Sequence, residues 1–127
     1  MRASAEIVVE RPRRAVWDWA SDPRHWHRWE DELGEVSVED YEIAESTPPR
    51  RQVVRAVRGR FPFEATLELS DDVLGTRVRQ TVDAGPEDAL ARVAFVLAPA
   101  LVRRSMRRRI ADQLERLKRM VELEATL

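Results

Sequence analysis

The chain contains no cysteine among its 127 residues, which excludes disulfide bonds, thiolate metal sites and a cysteine nucleophile. The first ten residues also lack an apolar run of signal-peptide length, so we do not expect export. The longest apolar run, from Val93 to Val102, has about 10 residues, whereas a membrane-spanning helix needs about 20. The sequence therefore predicts a cytoplasmic protein without a membrane span.

Histidine is scarce too, and this limits the chemistry available to the chain. The two histidines, His25 and His27, lie two positions apart, so on a helix they point to different sides and do not share a metal ion. The sequence contains no Ser-His-Asp order, glycine-rich phosphate loop or paired-carboxylate motif. The net charge of −1 argues against nucleic-acid binding. We therefore expect no metal, no cofactor and no nucleic-acid partner.

What the chain does have is the size and composition of one globular domain spanning residues 1–127. A hydrophobic content of 43% separates it from disordered chains, which are poor in such residues. At this length folding buries roughly two-thirds of the surface that the unfolded chain exposes. That is enough for one core and one modest cavity.

The N-terminal region predicts a strand followed by two short helices. Apolar and polar residues alternate from Ala5 to Glu10, as in a half-buried strand. Pro12 suits the first position of a helix, and apolar residues recur at helical spacing from Arg13 to Ala20. Asp22 followed by Pro23 predicts a capped second helix that runs to about Asp31.

The middle of the chain is typical of an antiparallel meander. Val36 and Val38 share one strand phase and Tyr41 shares the other, which predicts a turn or bulge between them. Gly59-Arg60 fits a two-residue hairpin turn. Closing that turn places Arg55 opposite Glu64 and Arg51 opposite Glu68.

A second hairpin is predicted with its turn between Asp71 and Gly75. We expect Glu68 opposite Arg77 and Glu64 opposite Thr81, so that opposite charges face each other on one surface. The same register turns the other side chains inward, where they must be covered. These inward residues are Gln52, Val54, Ala56, Arg58, Phe63, Ala65, Leu67, Val78, Gln80 and Val82.

The C-terminal region is predicted to be helical and to cover the sheet. The segment from Pro86 to Ala98 has a helical pattern, and Pro99 either kinks this helix or begins a new one. We expect the apolar run from Val93 to Val102 to be buried over the sheet; a mobile lid or a dimer contact are alternatives. A one-sided apolar stripe follows, made of Met106, Ile110, Leu114, Leu117 and Val121.

Two stretches of the chain resemble a known family. They are AEIVVERPRRAVWDWASDPRHWHRW at residues 5–29 and MRRRIADQLERLKRMVE at residues 106–122. They are similar to the polyketide cyclase/dehydrase branch of the START-like (helix-grip, SRPBCC) superfamily. The matching positions are Pro12, Val16, Trp17, Asp22, Pro23, Trp26, Trp29, Leu117 and Lys118.

The resemblance implies an α+β fold in which a curved antiparallel sheet surrounds a long C-terminal helix. Two short helices follow the first strand, and an apolar ligand cavity lies between sheet and helix. The middle of this chain is short, so we expect about six strands where relatives have seven. Such relatives include cyclases, lipid carriers and quinone-binding proteins, and their partners are small hydrophobic ligands.

Candidate ligand contacts follow from the inward face, because a few polar groups on an apolar wall are typical of an orienting site. Gln80 and Gln52 are the polar candidates, although each can instead bond the helix or a buried water. Trp26 either lines the cavity or wedges the short helices against the sheet, and Trp29 is assigned to the wedge. The predicted ligand-binding set is Trp26, Gln52, Val54, Phe63, Ala65, Gln80, Ile110 and Leu114.

Two functions remain open on the sequence alone. The first is an enzyme that cyclises or dehydrates a polyketide-like substrate without a cofactor, with Arg58, Tyr41 and His27 as candidate catalytic residues. The second is a non-catalytic carrier of a lipid or quinone. An arginine cluster predicts either a solvated helix face or a dock for an acyl carrier protein, and both a monomer and a homodimer are compatible with the sequence. The cluster is Arg103, Arg104, Arg107, Arg108 and Arg109.

Overall fold

A computed structural model describes residues 1–29, 41–56, 63–85 and 89–125 of the protein. The elements of this part are five strands and four helices. The strands are β1 (Arg2–Val9), β2 (Tyr41–Thr47), β3 (Arg51–Ala56), β4 (Phe63–Asp72) and β5 (Gly75–Ala84). The helices are α1 (Arg13–Ala20), α2 (Pro23–Trp29), α3 (Ala89–Leu97) and α4 (Pro99–Glu124).

The described strands form one antiparallel sheet in the order β1-β5-β4-β3-β2. The architecture is therefore α+β, as predicted, with five strands in the described part rather than about six. The strand pattern expected at Val36 and Val38 and the predicted turn at Gly59-Arg60 lie outside the described residues. A turn at residues 48–50 separates β2 from β3.

The register of the first hairpin is the predicted one. Arg51 lies opposite Glu68 and Arg55 opposite Glu64. The guanidinium of Arg55 is 3.3 Å from the Glu64 carboxylate, and that of Arg51 is 3.8 Å from the Glu68 carboxylate. Exposed pairs of this kind contribute little free energy, about 0–1 kcal/mol each, but they are consistent only with this register.

The predicted register of the second hairpin is wrong by two residues. Glu68 lies opposite Arg79 rather than Arg77, because the turn is shorter than expected and β5 already begins at Gly75. Gly75 has a φ of +145°, and a Cβ there would approach the carbonyl oxygen of Val9 to 2.4 Å, so only glycine fits. A shift by an even number of residues leaves every side chain on its predicted face.

The two short helices begin as the sequence suggests, with one difference. Asp22 caps α2 by accepting the backbone N–H of Arg24 at 2.9 Å, and Pro23 is the first residue of that helix. Pro12 precedes α1 in an extended conformation (φ −60°, ψ 149°) rather than forming its first residue. Its carbonyl accepts the N–H of Val16 at 3.1 Å, which opens α1 at Arg13.

Helix α4 begins at Pro99 and packs mainly along β1, with further contacts to α1, α2 and β5. Its buried residues follow the predicted stripe, from Ile110 through Leu114 and Leu117 to Val121. Arg11, just after β1, donates to the carbonyls of Glu122 and Ala125 and so satisfies the free C-terminal end of the helix. Among the described helices, none combines the length and apolar character needed to cross a bilayer.

The expected burial of the apolar run from Val93 to Val102 is wrong. No residue of α3 is buried, and Val93, Val96, Leu97 and Leu101 are all exposed by half or more. The reason is geometric, because α3 has its main contact with α4 and contributes nothing to the hydrophobic core. The start of the predicted helix, residues 86–88, lies outside the described residues.

Candidate functional site

A cavity lies between the inner face of the sheet and the α1–α2 pair. Its walls come from α1, α2 and the four strands β2 to β5, which cross beneath the two short helices. The period of two along each strand presents alternate residues to this space. The lining residues are Ala20, Trp26, Trp29, Tyr41, Gln52, Val54, Phe63, Ala65, Leu67 and Gln80.

Two buried glutamines supply amide groups to this otherwise apolar lining. Gln80 on β5 is only 2% exposed and lies opposite Leu67 of β4. Gln52 on β3 is 4% exposed, and its Nε2 donates to the carbonyl oxygen of Ser21 at 3.2 Å. Gln52 thus ties the sheet to the junction between α1 and α2, while Gln80 lies in the wall of the cavity.

The two tryptophans of α2 differ in how their indole N–H groups are satisfied. Trp26 donates its Nε1–H to the carbonyl oxygen of Ala20 at 3.1 Å, which fixes it as a wedge between α1 and α2. Trp29 is 2% exposed, and its Nε1–H has no hydrogen-bond acceptor within the described part of the chain. A buried donor without an acceptor costs about 1–3 kcal/mol, so Trp29 is the feature of this cavity that calls for an explanation.

One end of the cavity lies at Tyr41 and Phe63. Both side chains are half-buried, and their rings meet edge to face with centroids 6.0 Å apart. Tyr41 is the one ionisable side chain among the described lining residues. Because both rings reach the surface, this end is the natural entrance.

The cavity is small as it stands. Its free volume is about 20 Å³, which corresponds to roughly one water molecule. A larger ligand therefore has to displace lining side chains.

The structure brings together most, but not all, of the predicted ligand-binding residues. Trp26, Gln52, Val54, Phe63, Ala65 and Gln80 line one cavity. Ile110 and Leu114 do not, and are instead buried on the inner side of α4. Among the described residues no part of α4 lines this cavity, which the short helices cover.

The predicted catalytic residues are only partly placed. Tyr41 lies at the cavity, whereas Arg58 and the side chain of His27 lie outside the described residues. His25 stacks on Trp19 with centroids 4.5 Å apart, and Arg28 covers the same ring, so this histidine belongs to the outer surface of the helix pair. No group of three potential metal ligands occurs within the described ranges.

Solved structures resemble the described architecture over nearly its whole length. TTHA0849 from Thermus thermophilus has a TM-score of 0.67 at 18% identity, with 99% of this chain and 100% of that chain covered. BH1534 from Bacillus halodurans has a TM-score of 0.68 at 18% identity, with 96% and 97% covered. The fold is shared. At such identities the likeness shows the fold alone, an antiparallel sheet with a long C-terminal helix that is consistent with a helix-grip fold.

A third similar structure comes from a biosynthetic locus. DynU16, a protein of the dynemicin biosynthetic locus, has a TM-score of 0.66 at 15% identity. The match covers 95% of this chain but 47% of DynU16, so this chain spans about half the length of that protein. No model of a known protein family matches the chain, and no curated protein matches it in sequence.

Sequence reasoning misses or misassigns two parts of the site. It assigns Trp29 to packing, and nothing in the spacing of this residue on α2 shows that its N–H lacks an acceptor. It assigns Ala20 only to the apolar face of α1, yet the small side chain of Ala20 lines the cavity and its carbonyl satisfies Trp26. The signal that could have found Ala20 is its position, one residue before the turn that joins the two helices.

Proposed function

We propose that this chain is a binding protein for a small hydrophobic molecule that carries a hydrogen-bond acceptor, such as a ketone or quinone carbonyl. The molecule occupies the cavity between the sheet and the α1–α2 pair. The observation that carries the proposal is the buried indole N–H of Trp29, which has no acceptor among the described residues of an otherwise apolar wall.

The chemistry follows from what this wall offers. Apolar side chains favour a hydrophobic body, since burial is worth about 25 cal/mol per Å² of apolar surface removed from water. The Trp29 N–H and the amides of Gln52 and Gln80 supply a few fixed polar groups, which orient a ligand rather than bind it by charge. An oxygen that accepts from Trp29 removes the cost of burying that donor.

The small free volume of the cavity limits the size of the ligand and the path by which it enters. A molecule of one ring fits if Phe63 and Tyr41 turn outward. Val54, Ala65 and Leu67 then contact the body of the ligand. We expect compact ligands to bind more readily than long ones.

The proposal is tested with two probes of nearly equal size, acetophenone and ethylbenzene, which differ by a carbonyl. We expect acetophenone to bind about five-fold more tightly in a titration followed by amide chemical shifts, as one additional hydrogen bond of about 1 kcal/mol implies. In Trp29→Phe the preference should disappear. In the matched variant Trp26→Phe it should persist, because that indole already donates to Ala20. Equal affinities in the wild type, or no binding of either probe, would overturn the proposal.

A second candidate function is cyclisation of a polyketide-like substrate, and two observations favour it. DynU16 comes from a biosynthetic locus, and Tyr41 places one phenol at the cavity entrance. In such an enzyme the cavity would hold the chain in a reactive conformation, and Tyr41 with Gln80 would donate to the enolate oxygen. Incubation with a linear poly-β-ketone thioester separates the two functions: an enzyme cyclises it faster than the protein-free reaction and loses that acceleration in Tyr41→Phe, whereas a binding protein gives no acceleration over the protein-free reaction.

A further inference from the structure

A surface of exposed aliphatic side chains runs along α3 and into the first turn of α4. Leu90, Val93 and Leu97 fall at i, i+3 and i+7, so they share one face of α3, and Val96 lies beside them. Their exposed fractions range from 50% for Val93 to 79% for Leu90, and Leu101 at the start of α4 is 67% exposed. Contiguous exposed apolar residues are uncommon on monomeric proteins and indicate an interaction surface.

The same segment is strongly basic. Residues 89–111 contain six arginines and no aspartate or glutamate, so this stretch carries a formal charge of +6. Because the whole chain has a net charge of −1, the remaining residues carry −7. The arginines of the segment are Arg92, Arg103, Arg104, Arg107, Arg108 and Arg109.

The apolar and basic parts meet on the outer face of α4. Leu101, Arg104 and Arg108 fall at i, i+3 and i+7, away from the side that buries Ile110 and Leu114. Arg104 and Arg108 are exposed, and no ion pair within the described residues involves either of them. Their charge is therefore available to an external partner.

We infer that α3 and the first turns of α4 form a docking surface for an anionic phospholipid bilayer. Aliphatic residues on one face with arginines beside them are the pattern of helices that lie in a membrane interface, with the apolar face a few ångströms below the headgroups. Arginine pairs with phosphate through two parallel hydrogen bonds and can extend from a partly buried stem. The acidic remainder of the chain is repelled by the same bilayer, which orients the protein. This inference is independent of the ligand in the cavity.

The charge of this surface favours a bilayer over a second copy of the chain as its binding partner. A two-fold contact through this surface would bring two arginine clusters together, and the segment offers no carboxylate to offset them. An acidic protein would also satisfy the charge, but apart from its arginines this surface offers leucine and valine and no tryptophan or tyrosine, the other residues on which protein interfaces depend. A fluid lipid surface needs only apolar area and positive charge.

The test is co-sedimentation of the full chain with vesicles. We expect binding to vesicles of equal parts phosphatidylcholine and phosphatidylglycerol, and far weaker binding to phosphatidylcholine alone. Each arginine near an anionic surface contributes about a five-fold gain, so Arg104→Gln with Arg108→Gln should lower the partition coefficient roughly 30-fold. Leu90→Ser with Leu97→Ser should lower it by about ten-fold or more through lost apolar burial.

Two double variants serve as matched controls because they remove the same kinds of group elsewhere. Arg50→Gln with Arg79→Gln takes two charges from exposed positions on β5 and the turn before β3, and Val73→Ser with Leu74→Ser takes exposed aliphatic side chains from the β4–β5 turn. Both should bind as the wild type does. All substituted side chains are exposed, so circular dichroism should show unchanged folding.

Four outcomes would overturn the inference. The first is equal binding to both kinds of vesicle, and the second is vesicle binding by the control variants that is as weak as that of the test variants. The third is a wild type that does not bind vesicles but forms a dimer, which Leu90→Ser with Leu97→Ser dissociates. The fourth is a wild type that does not bind vesicles but binds an acidic acyl carrier protein through Arg104 and Arg108. Weakening of vesicle binding as salt rises, with the Debye length falling from about 10 Å at 0.1 M to about 3 Å at 1 M, would support it.

Discussion

Buried amides in this protein occupy three different environments. Gln52 donates to the carbonyl of Ser21, Gln80 lies in the cavity wall, and Gln113 is buried on α4 away from the cavity. The hydrogen bond of Gln52 joins a strand to a helix junction 31 positions earlier in the chain. Its loss leaves a carbonyl oxygen without its partner, which is costlier than the loss of an amide alone.

Gln52→Leu should therefore destabilise the protein by about 1–3 kcal/mol, because Ser21 keeps a carbonyl oxygen that has lost its donor. Gln113→Leu is the matched control, since Gln113 lies on the buried side of α4, away from the cavity and from Ser21. We expect that control to change stability by less than about 1 kcal/mol. Urea denaturation measures both, and equal losses would show that the Gln52–Ser21 bond contributes nothing specific.

For individual residues, the role of a side chain could not be predicted where it depends on the position of a distant carbonyl group. Strand alternation predicts that Gln80 points inward, and its burial agrees. The prediction holds although the register differs by two residues, because such a shift leaves each side chain on the same face of the sheet. The contrast between Trp26 and Trp29 does not follow from sequence. Both recur on one helix, and only the position of the Ala20 carbonyl decides which indole is satisfied.

Among the elements, α4 is the one whose burial was predicted most fully. Its stripe from Ile110 to Val121 repeats at helical spacing, and all of its central members are buried. Leu114 is 0% exposed. Leu114→Ala should therefore lower the free energy of unfolding by about 2–5 kcal/mol, through lost transfer energy and the cavity left behind.

Leu123 offers a matched control for Leu114 on the same helix. It is 83% exposed, so Leu123→Ala should change the free energy of unfolding by no more than about 0.5 kcal/mol. Chemical denaturation of both variants checks the pair. A loss below about 1 kcal/mol for Leu114→Ala would mean that this stripe does not pack against β1.

The elements also show why the two hairpins were predicted with different success. Cross-strand charge pairing identified the β3–β4 register, since Arg51 and Arg55 each find a glutamate opposite. In the β4–β5 hairpin the same reasoning chose Arg77 for Glu68, but Arg77 instead pairs with Asp72 at 2.9 Å and Glu6 at 3.2 Å. Surface pairs are too weak to choose between such registers.

Helix α3 marks the limit of hydropathy as a guide to burial. Its residues are as apolar as a core helix, so the sequence predicted burial over the sheet. The sheet face is already occupied, with α4 along β1 and the α1–α2 pair over the cavity. Whether an apolar helix finds a partner depends on the space that other elements leave, and that is a property of the whole fold.

In the molecule as a whole, two helical covers, α4 and the α1–α2 pair, pack on one sheet. Helix α4 packs along β1, the short helices α1 and α2 cover the cavity, and all three contribute to one hydrophobic core. Arg28 of α2 forms an ion pair with Glu124 at the end of α4, which links the two covers. Glu122 ties α4 to the end of β1, since it accepts the Glu10 backbone N–H at 2.8 Å, and it also accepts the Lys118 ammonium of α4 at 2.6 Å.

Two carboxyl groups with lowered pKa values, Glu122 and Asp22, make the folded protein sensitive to acid. Burial raises the pKa of Glu122, but the hydrogen bonds from the Glu10 backbone and from Lys118 outweigh it, so the pKa lies below the ordinary value. The Arg24 guanidinium, followed by the Arg24 backbone N–H, lowers the pKa of Asp22 from 3.8 to about 2. A carboxyl whose pKa is lower in the folded than in the unfolded protein contributes stability above its unfolded pKa and loses it as the pH falls.

Replacing Asp22 by asparagine isolates the contribution of this carboxyl group to the acid sensitivity. Between pH 3.8 and about pH 2 the unfolded protein binds the Asp22 proton and the folded protein does not, so unfolding takes up a proton and stability falls with the pH. Asp22→Asn keeps a side-chain oxygen that caps α2 but removes this titration. We therefore expect Asp22→Asn to be less stable than the wild type at neutral pH and to lose less stability between about pH 4 and pH 2 in urea denaturation, so that the two profiles converge in acid. Since Glu122→Gln keeps its acceptor oxygen, it should flatten the profile at the upper end of that window, near the ordinary carboxyl pKa of about 4.3. Wild type and Asp22→Asn with parallel profiles would show that the Arg24 contacts do not hold Asp22 ionised in the folded protein.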